Sequence, residues 1–228
     1  MIAAIFDADG TLYSAQYGRG LMTYARTHGH SGRARVYLAS ILWVMLLRRF
    51  GLANGEALDR AKISGLAHMM RGWSEDQARP ALAWVTDQYL LATRREDVMR
   101  RLAAHQSEGH LVVIASGTFL PSLRLLGERL GVSEFVGTRI EVAQVRYTGR
   151  IVPPIIKGAD KAEQVKRHLS RRGLDVDWGA SYAYGDSYSD RHFMSLVGHP
   201  VAVHPDVQLR EMALARNWEV LESSEAGP

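Results

Sequence analysis

The 228-residue chain contains no cysteine. A disulfide framework, a thiolate nucleophile and a cysteine metal site are therefore excluded. Lysine is almost as scarce, with only Lys62, Lys157, Lys161 and Lys166 set against 24 arginines. Acidic residues are missing from the whole stretch between Ser14 and Gly55, which carries six arginines. The most apolar stretch, Val36–Leu47, has twelve residues, where a bilayer span needs roughly 20. The N-terminus has no basic region, and its apolar segment stops at Asp7. A cleaved signal peptide is thus not expected, and a cytoplasmic setting is. Internal repeats and low-complexity segments are absent as well.

A 46% apolar and 23% charged composition lies in the range of folded globular proteins, and the length allows a full core with a small inserted domain. The net charge of +4 is uneven: residues 14–95 hold 12 basic and 5 acidic side chains, and the remainder 16 and 19. A basic segment suits nucleic acid, an anionic membrane surface, an anionic substrate or plain solvent. No nucleic-acid motif accompanies this one, so nucleic acid is not an expected partner, while a membrane surface stays open.

The chain begins with a short apolar run, Ile2–Phe6, that ends at Asp7-Ala8-Asp9-Gly10-Thr11. A run this short, bounded by a turn, reads as a buried parallel strand. Asp7 and Asp9 would stand at its carboxyl end, where open α/β sheets bind ligands. There Asp7 could attack an electrophile and Asp9 could move a proton; a plain turn is the alternative for these residues.

The following 80 residues read as helices without convincing strands. A short helix over Leu21–Ala25 ends at His28-Gly29-His30-Ser31-Gly32, a turn rather than a pair of metal ligands. Val36–Leu47 reads either as a buried helix or as an interfacial helix with arginine flanks. Helices follow near Glu56–Met70 and over Ser74–Arg94, the latter opened by Ser74 as N-cap; Pro80 predicts a later start or a kink.

Glu96–Gln106 then reads as a core helix. His110–Ala115 is a second buried strand running into Ser116-Gly117-Thr118. The Ser116 hydroxyl and the amides after it suit an anion at the start of the next helix, which runs to about Leu130. Phe135–Val142 is a third strand, and Val145–Val152 a hairpin or flap. The helix opened by Lys157-Gly158-Ala159-Asp160-Lys161 places two of the four lysines at its start, against the macrodipole, and a nearby anion would explain them. Ala180–Gly185 is a strand ending in Asp186 and Asp190, whose spacing and oxygen donors suit Mg²⁺. Pro200–Val203 is a last strand, Asp206–Arg216 a last helix, and the tail from Ser223 is expected to fray. Strands alternating with helices predict a doubly wound parallel α/β sheet. The helical insertion predicts a division into a core, 1–13 and 95–228, and a cap, 14–94.

With these motifs at one end of one sheet, the chain resembles a phosphatase of the haloacid dehalogenase superfamily, in the branch similar to phosphoserine phosphatase. The matching residues are Asp7-Ala8-Asp9-Gly10-Thr11, Ser116, Lys161 (with Lys157 as the other register) and Gly185-Asp186-Ser187-Tyr188-Ser189-Asp190. The resemblance implies a Rossmann-like core with an inserted helical cap. It implies that Asp7 is the nucleophile that becomes an aspartyl phosphate, and that Asp9 is the general acid and base. Lys161 would neutralise charge, and Ser116, Gly117 and Thr11 would bind substrate. Mg²⁺ would be held by Asp7, Asp9 through its carbonyl, and Asp186, with Asp190 supporting that shell or the lysine. The dehalogenases of the superfamily lack the second carboxylate and its ion pumps carry Thr there, so Asp9 leaves a phosphatase or phosphomutase, and a phosphatase acting on a small phosphorylated metabolite is expected.

Two departures bear on the substrate. Phosphoserine phosphatases carry a glutamate shortly after the first motif that reads the substrate ammonium; here the stretch is Ser14-Ala15-Gln16-Tyr17. A buried ammonium without a carboxylate is costly, so phosphoserine is expected to be a poor substrate. Ser189 also stands where that branch often has Asn. A sugar or nucleotide phosphate, a lipid phosphate facing the Val36–Leu47 run, and a non-catalytic phosphate-binding role are the alternatives.

Overall fold

All four residues of β1 (Ala3–Phe6) are buried, because their side chains alternate between two packed faces. Ala4 and Phe6 belong to one apolar core and Ala3 and Ile5 to another. The structure, a computed structural model, describes residues 1–222, and the tail expected to fray from Ser223 lies outside them.

Between β1 and β2 (Leu111–Phe119) come α1 (Tyr17–Thr27), α2 (Ser31–Arg49), α3 (Gly55–Met69), α4 (Glu75–Trp84) and α5 (Glu96–Ser107). After β2 follow α6 (Leu120–Leu130), β3 (Glu134–Ala143), β4 (Arg146–Val152), α7 (Gly158–Arg171), β5 (Tyr182–Gly185), α8 (Arg191–Met194), β6 (His199–Val203), α9 (Val207–Ala215) and β7 (Glu219–Leu221). Among the described residues the sheet has the order β4-β3-β2-β1-β5-β6-β7. Every neighbouring pair is parallel except β3 with β4. Residues of α5 and α6 (Val98, Leu102, Leu123, Leu126) fill the core on one face. Residues of α7, α8 and α9 (Val165, Leu169, Phe193, Leu209) fill the other. This is the expected doubly wound sheet. The chain turns from β3 and β4 on one side of β1 to β5 on the other, so the carboxyl end of β1 is the switch point where such sheets bind ligands.

The helical insertion leaves and rejoins the sheet through a narrow stem. Ser14 N–H donates to Thr93 O and Arg95 N–H to Leu12 O, both at 2.9 Å. α4 begins at Glu75 with a capping box between Ser74 and Gln77, so Pro80 does not delay the start. The irregularity falls later, in a π-helical turn at Val85–Leu90. The β3–β4 hairpin turns at Gln144 and Val145, both at positive φ, and straps onto the insertion. Gly72 N–H donates to Tyr147 O and Tyr147 N–H to Trp73 O, both at 2.8 Å. Gly149, at φ +81°, passes so close to α3 that a Cβ would lie 3.1 Å from His68 Cα.

One expectation needs correction. α2 is not a buried helix. Only Ala34 is buried along its length, because α2 has a packing partner on one side alone. Its inward face lies on α3, where Tyr37 comes so close that a Cβ on Gly65 would be 2.6 Å from Cδ2.

Candidate active site

Asp7 follows β1 directly, and its N–H donates to Tyr184 O at 2.9 Å, so sheet pairing carries through the residue. The chain then turns back. Leu12 N–H donates to Ala8 O and Gly10 N–H to Tyr13 O, both at 2.9 Å. Arg95 Nε clamps the turn by donating to Gly10 O at 2.9 Å. Gly10 sits at φ +90°, and a Cβ there would lie 2.1 Å from Asp186 Oδ2. Only glycine lets this turn meet the loop after β5.

Lys161, one turn into α7, reaches this point. Its Nζ donates to Asp7 Oδ1 and to Asp190 Oδ1, each at 2.6 Å, and all three side chains are buried. Lys157, the other register, is exposed and pairs with Asp59 of α3. Asp190 also accepts from the Ser187 hydroxyl at 3.1 Å and the Ser187 N–H at 3.3 Å, so it orients the lysine. Thr11, expected on the substrate, is wholly buried, and its Oγ1 donates to Asp186 Oδ1 at 3.4 Å. It therefore positions a carboxylate from behind the cavity lining.

Carboxylate oxygens of Asp7, Asp186 and Asp190 lie within 4.8 Å of one another. Burial raises Asp7 well above the usual carboxylate range; Lys161 opposes this, while Asp190 and Asp186 add to it. Burial and then Asp190 push Asp186 up to about 7. Burial would depress Lys161, but Asp190 and Asp7 outweigh it and raise its pKa. One lysine against three close carboxylates leaves excess buried negative charge, and hard oxygen donors in that arrangement fit a divalent cation. A second group, His105, Glu108 and His110, lies at the opposite end of β2. Its imidazoles bond to each other at 2.8 Å and His105 Nε2 to the Tyr184 hydroxyl at 2.8 Å, which accounts for them.

Asp9 points away from the three carboxylates and toward α1. Its two oxygens accept from Tyr17 N–H at 3.3 and 3.2 Å, at the first residue of that helix. Burial pushes Asp9 up to about 6, against the lowering effects of Tyr13 and Tyr17. A carboxylic acid with that value can give and take a proton near neutral pH.

These groups open into a cavity of about 320 Å³. Asp7, Asp9, Ser116, Gly117, Lys161, Asp186 and Asp190 line its floor. Ser116 Oγ accepts from Thr118 N–H at 3.2 Å, inside β2 where its register against β3 shifts between Ser116 and Phe119. The upper wall is Gln16, Tyr17 and Gly18 with Ile63 and Leu66 of α3, and Phe119 and Ile156 close the sides. Of these seven, only Gln16 and Tyr17 were singled out by the sequence. Ile63 and Leu66 in particular read as ordinary apolar helix positions, and only the packing of α3 over the sheet turns them inward. Ser189 also lines the cavity, with its hydroxyl 2.8 Å from that of Ser187. His28 and His30 stack on Tyr24 in the turn where they were expected.

The chain belongs to the haloacid dehalogenase-like hydrolases, whose family model matches residues 4–195. It is 31% identical over 223 residues to phosphoserine phosphatase SerB1 of Mycobacterium tuberculosis, covering 96% of this chain and 70% of that one. A protein of unknown function from Bordetella pertussis Tohama I has the same fold, with a TM-score of 0.83 at 23% identity, over 97% of this chain and 99% of that one. A structure of a phospho-aspartyl intermediate analogue of phosphoserine phosphatase superposes with a TM-score of 0.62 at 17% identity, over 96% and 91% of the two chains.

Proposed function

We propose that this protein is a Mg²⁺-dependent phosphomonoester phosphatase that works through an aspartyl phosphate on Asp7. The observation that carries the reading is the position of Lys161 between Asp7 and Asp190 in the same cavity as Asp9. An Asp7 oxygen attacks phosphorus, and the bond from phosphorus to the ester oxygen breaks. Asp9 gives its proton to the departing oxygen. Ionised Asp9 then takes a proton from water as that water attacks phosphorus, the bond from phosphorus to Asp7 breaks, and phosphate leaves. Ser116 Oγ and the Gly117 N–H hold phosphoryl oxygens, and Lys161 offsets their charge and that of Asp7. Asp7, Asp186 and the Asp9 carbonyl would hold Mg²⁺, which when bound relieves the repulsion between an anionic nucleophile and an anionic phosphoryl group.

In this reading residues 14–94 are the cap that selects the substrate, and residues 1–13 and 95–228 the core. The cavity wall from the cap offers Gln16, Ile63 and Leu66 and no carboxylate, while Asp59 is taken up by Lys157 and Lys62. The substrate is accordingly a small phosphomonoester whose alcohol part carries no ammonium group, and phosphoserine is a poor fit. The reading includes the cytoplasmic setting expected from the sequence. The test is phosphate release from a panel of sugar, nucleotide, lipid and amino-acid phosphomonoesters, with and without Mg²⁺. Mg²⁺-dependent turnover lost in Asp7→Asn supports the chemistry, and phosphoserine at the top of the panel would overturn the substrate class.

A further inference from the structure

We propose that the outer face of α2 docks this protein on an anionic lipid surface. A helix with so apolar a middle is normally buried on more than one side, yet this one packs on α1 and α3 and leaves its other side to solvent. Leu42, Trp43 and Phe50 are 65%, 60% and 68% exposed, and Val36, Met45, Leu46 and Leu52 are exposed beside them. Helical spacing gathers them: Val36, Trp43 and Phe50 recur every seventh residue, and Leu46 and Leu42 lie in the adjoining rows. Val36, Leu42, Trp43, Leu46 and Phe50 so form one apolar face, larger than scattered surface residues require. No helix among the described residues is long and apolar enough to cross a membrane, so the face is suited to lie in an interface.

Charge identifies the occupant. Arg35 stands near the start of this face and Arg48 and Arg49 at its end, all exposed. No acidic side chain occurs from Ser14 through Gly55 to pair with them. A second copy docked on the same face would bring arginines toward arginines with no acid of that segment between them. An anionic headgroup layer meets the arginines while the tryptophan and phenylalanine enter the acyl boundary. The face is also free of the chemistry. α3 turns Ile63 and Leu66 to the cavity and Gly65 to α2, so α3 stands between the apolar face and the cavity. The inference does not depend on the identity of the reaction.

The test is flotation of the full chain with phosphatidylcholine vesicles, with and without roughly one-third phosphatidylglycerol. It is paired with quenching of Trp43 by brominated lipid and with the oligomeric state measured by light scattering. Binding to the anionic vesicles is expected, weakened about thirtyfold or more by Arg48→Glu with Arg49→Glu. It should be abolished by Leu42→Ser, Trp43→Ser and Phe50→Ser together, and the bromine quenching should vanish in Trp43→Phe. All these residues are exposed, so the variants should fold and keep phosphate release from a soluble ester. Absence of flotation at low salt, or flotation indifferent to these substitutions, overturns the proposal. So does a dimer that the triple substitution dissociates without any vesicle binding, which would assign the face to a second copy.

Discussion

Lys161 and Asp7 meet at 2.6 Å although they come from different elements, one from the first turns of α7 and the other from the end of β1. The lysine is the counter-charge for Asp7 and for Asp190 at once. Lys161→Met leaves two close carboxylates buried without it. Removing one partner of a buried pair costs about 3–5 kcal/mol, so a clear fall in unfolding midpoint is expected. A loss of kcat of roughly 10²–10³ is expected with it. Lys161→Arg should not restore activity, since a planar fork does not replace a compact ammonium in a closed site. Steady-state kinetics and denaturant unfolding of the two variants check both points.

A pH dependence follows from Asp9 and Asp186. Both are raised from an ordinary value of 3.8, to about 6 and about 7. The folded protein therefore holds these protons more tightly than the unfolded chain does. Their effect is to lower stability as pH rises from about 4 to about 7, with the full loss present above 7. A divalent cation held by the Asp7 and Asp186 carboxylates competes with the protons that burial leaves on them. Thermal unfolding in chelator and in Mg²⁺ should therefore give a stabilisation that grows with pH, small at pH 5 and several degrees, about 5 °C, at pH 8. A shift of equal size at both values would show that the cation binds elsewhere.

Much of the site was legible because its chemistry sits at strand ends. Asp7, Ser116 and Asp186 each follow a short apolar run, and such runs announce themselves in sequence, although β2 continues past Ser116 to Phe119. The lysine at the start of a helix was readable as an electrostatic misfit, and Asp7 and Asp190 resolve it. What stayed hidden depended on tertiary packing. α2 and a buried helix share one apolar pattern, and only the lack of an element over its outer side separates them. The hairpin turn at Gln144 and Val145 adopts positive φ without glycine, so it carries no local signal. β7 is three residues long and only partly buried. Thr11 was legible only through the family resemblance, and the bond of its buried hydroxyl to Asp186 depends on the loop after β5.

The substrate prediction rests on Gln16, which faces the cavity where a carboxylate would be needed to meet an ammonium. Gln16→Glu supplies one with little change in volume. It should raise kcat/KM for phosphoserine about tenfold, the equivalent of about 1.4 kcal/mol, and lower it for a substrate whose alcohol part is neutral or anionic. Parallel kinetics on phosphoserine and on the best ester of the panel would show the exchange. An unchanged ratio between the two would mean that selection lies elsewhere in the cap.

Covalent chemistry at Asp7 is tested most directly by a rapid acid quench of the turning-over enzyme followed by peptide mass spectrometry. A phosphoryl group on the peptide containing Asp7 is expected. It should accumulate in Asp9→Asn with an activated ester, where departure no longer needs the proton but hydrolysis still needs the base, and it should be absent in Asp7→Asn. Turnover that proceeds in Asp7→Asn, or with no phosphorylated peptide in the Asp9→Asn enzyme, would contradict the central claim.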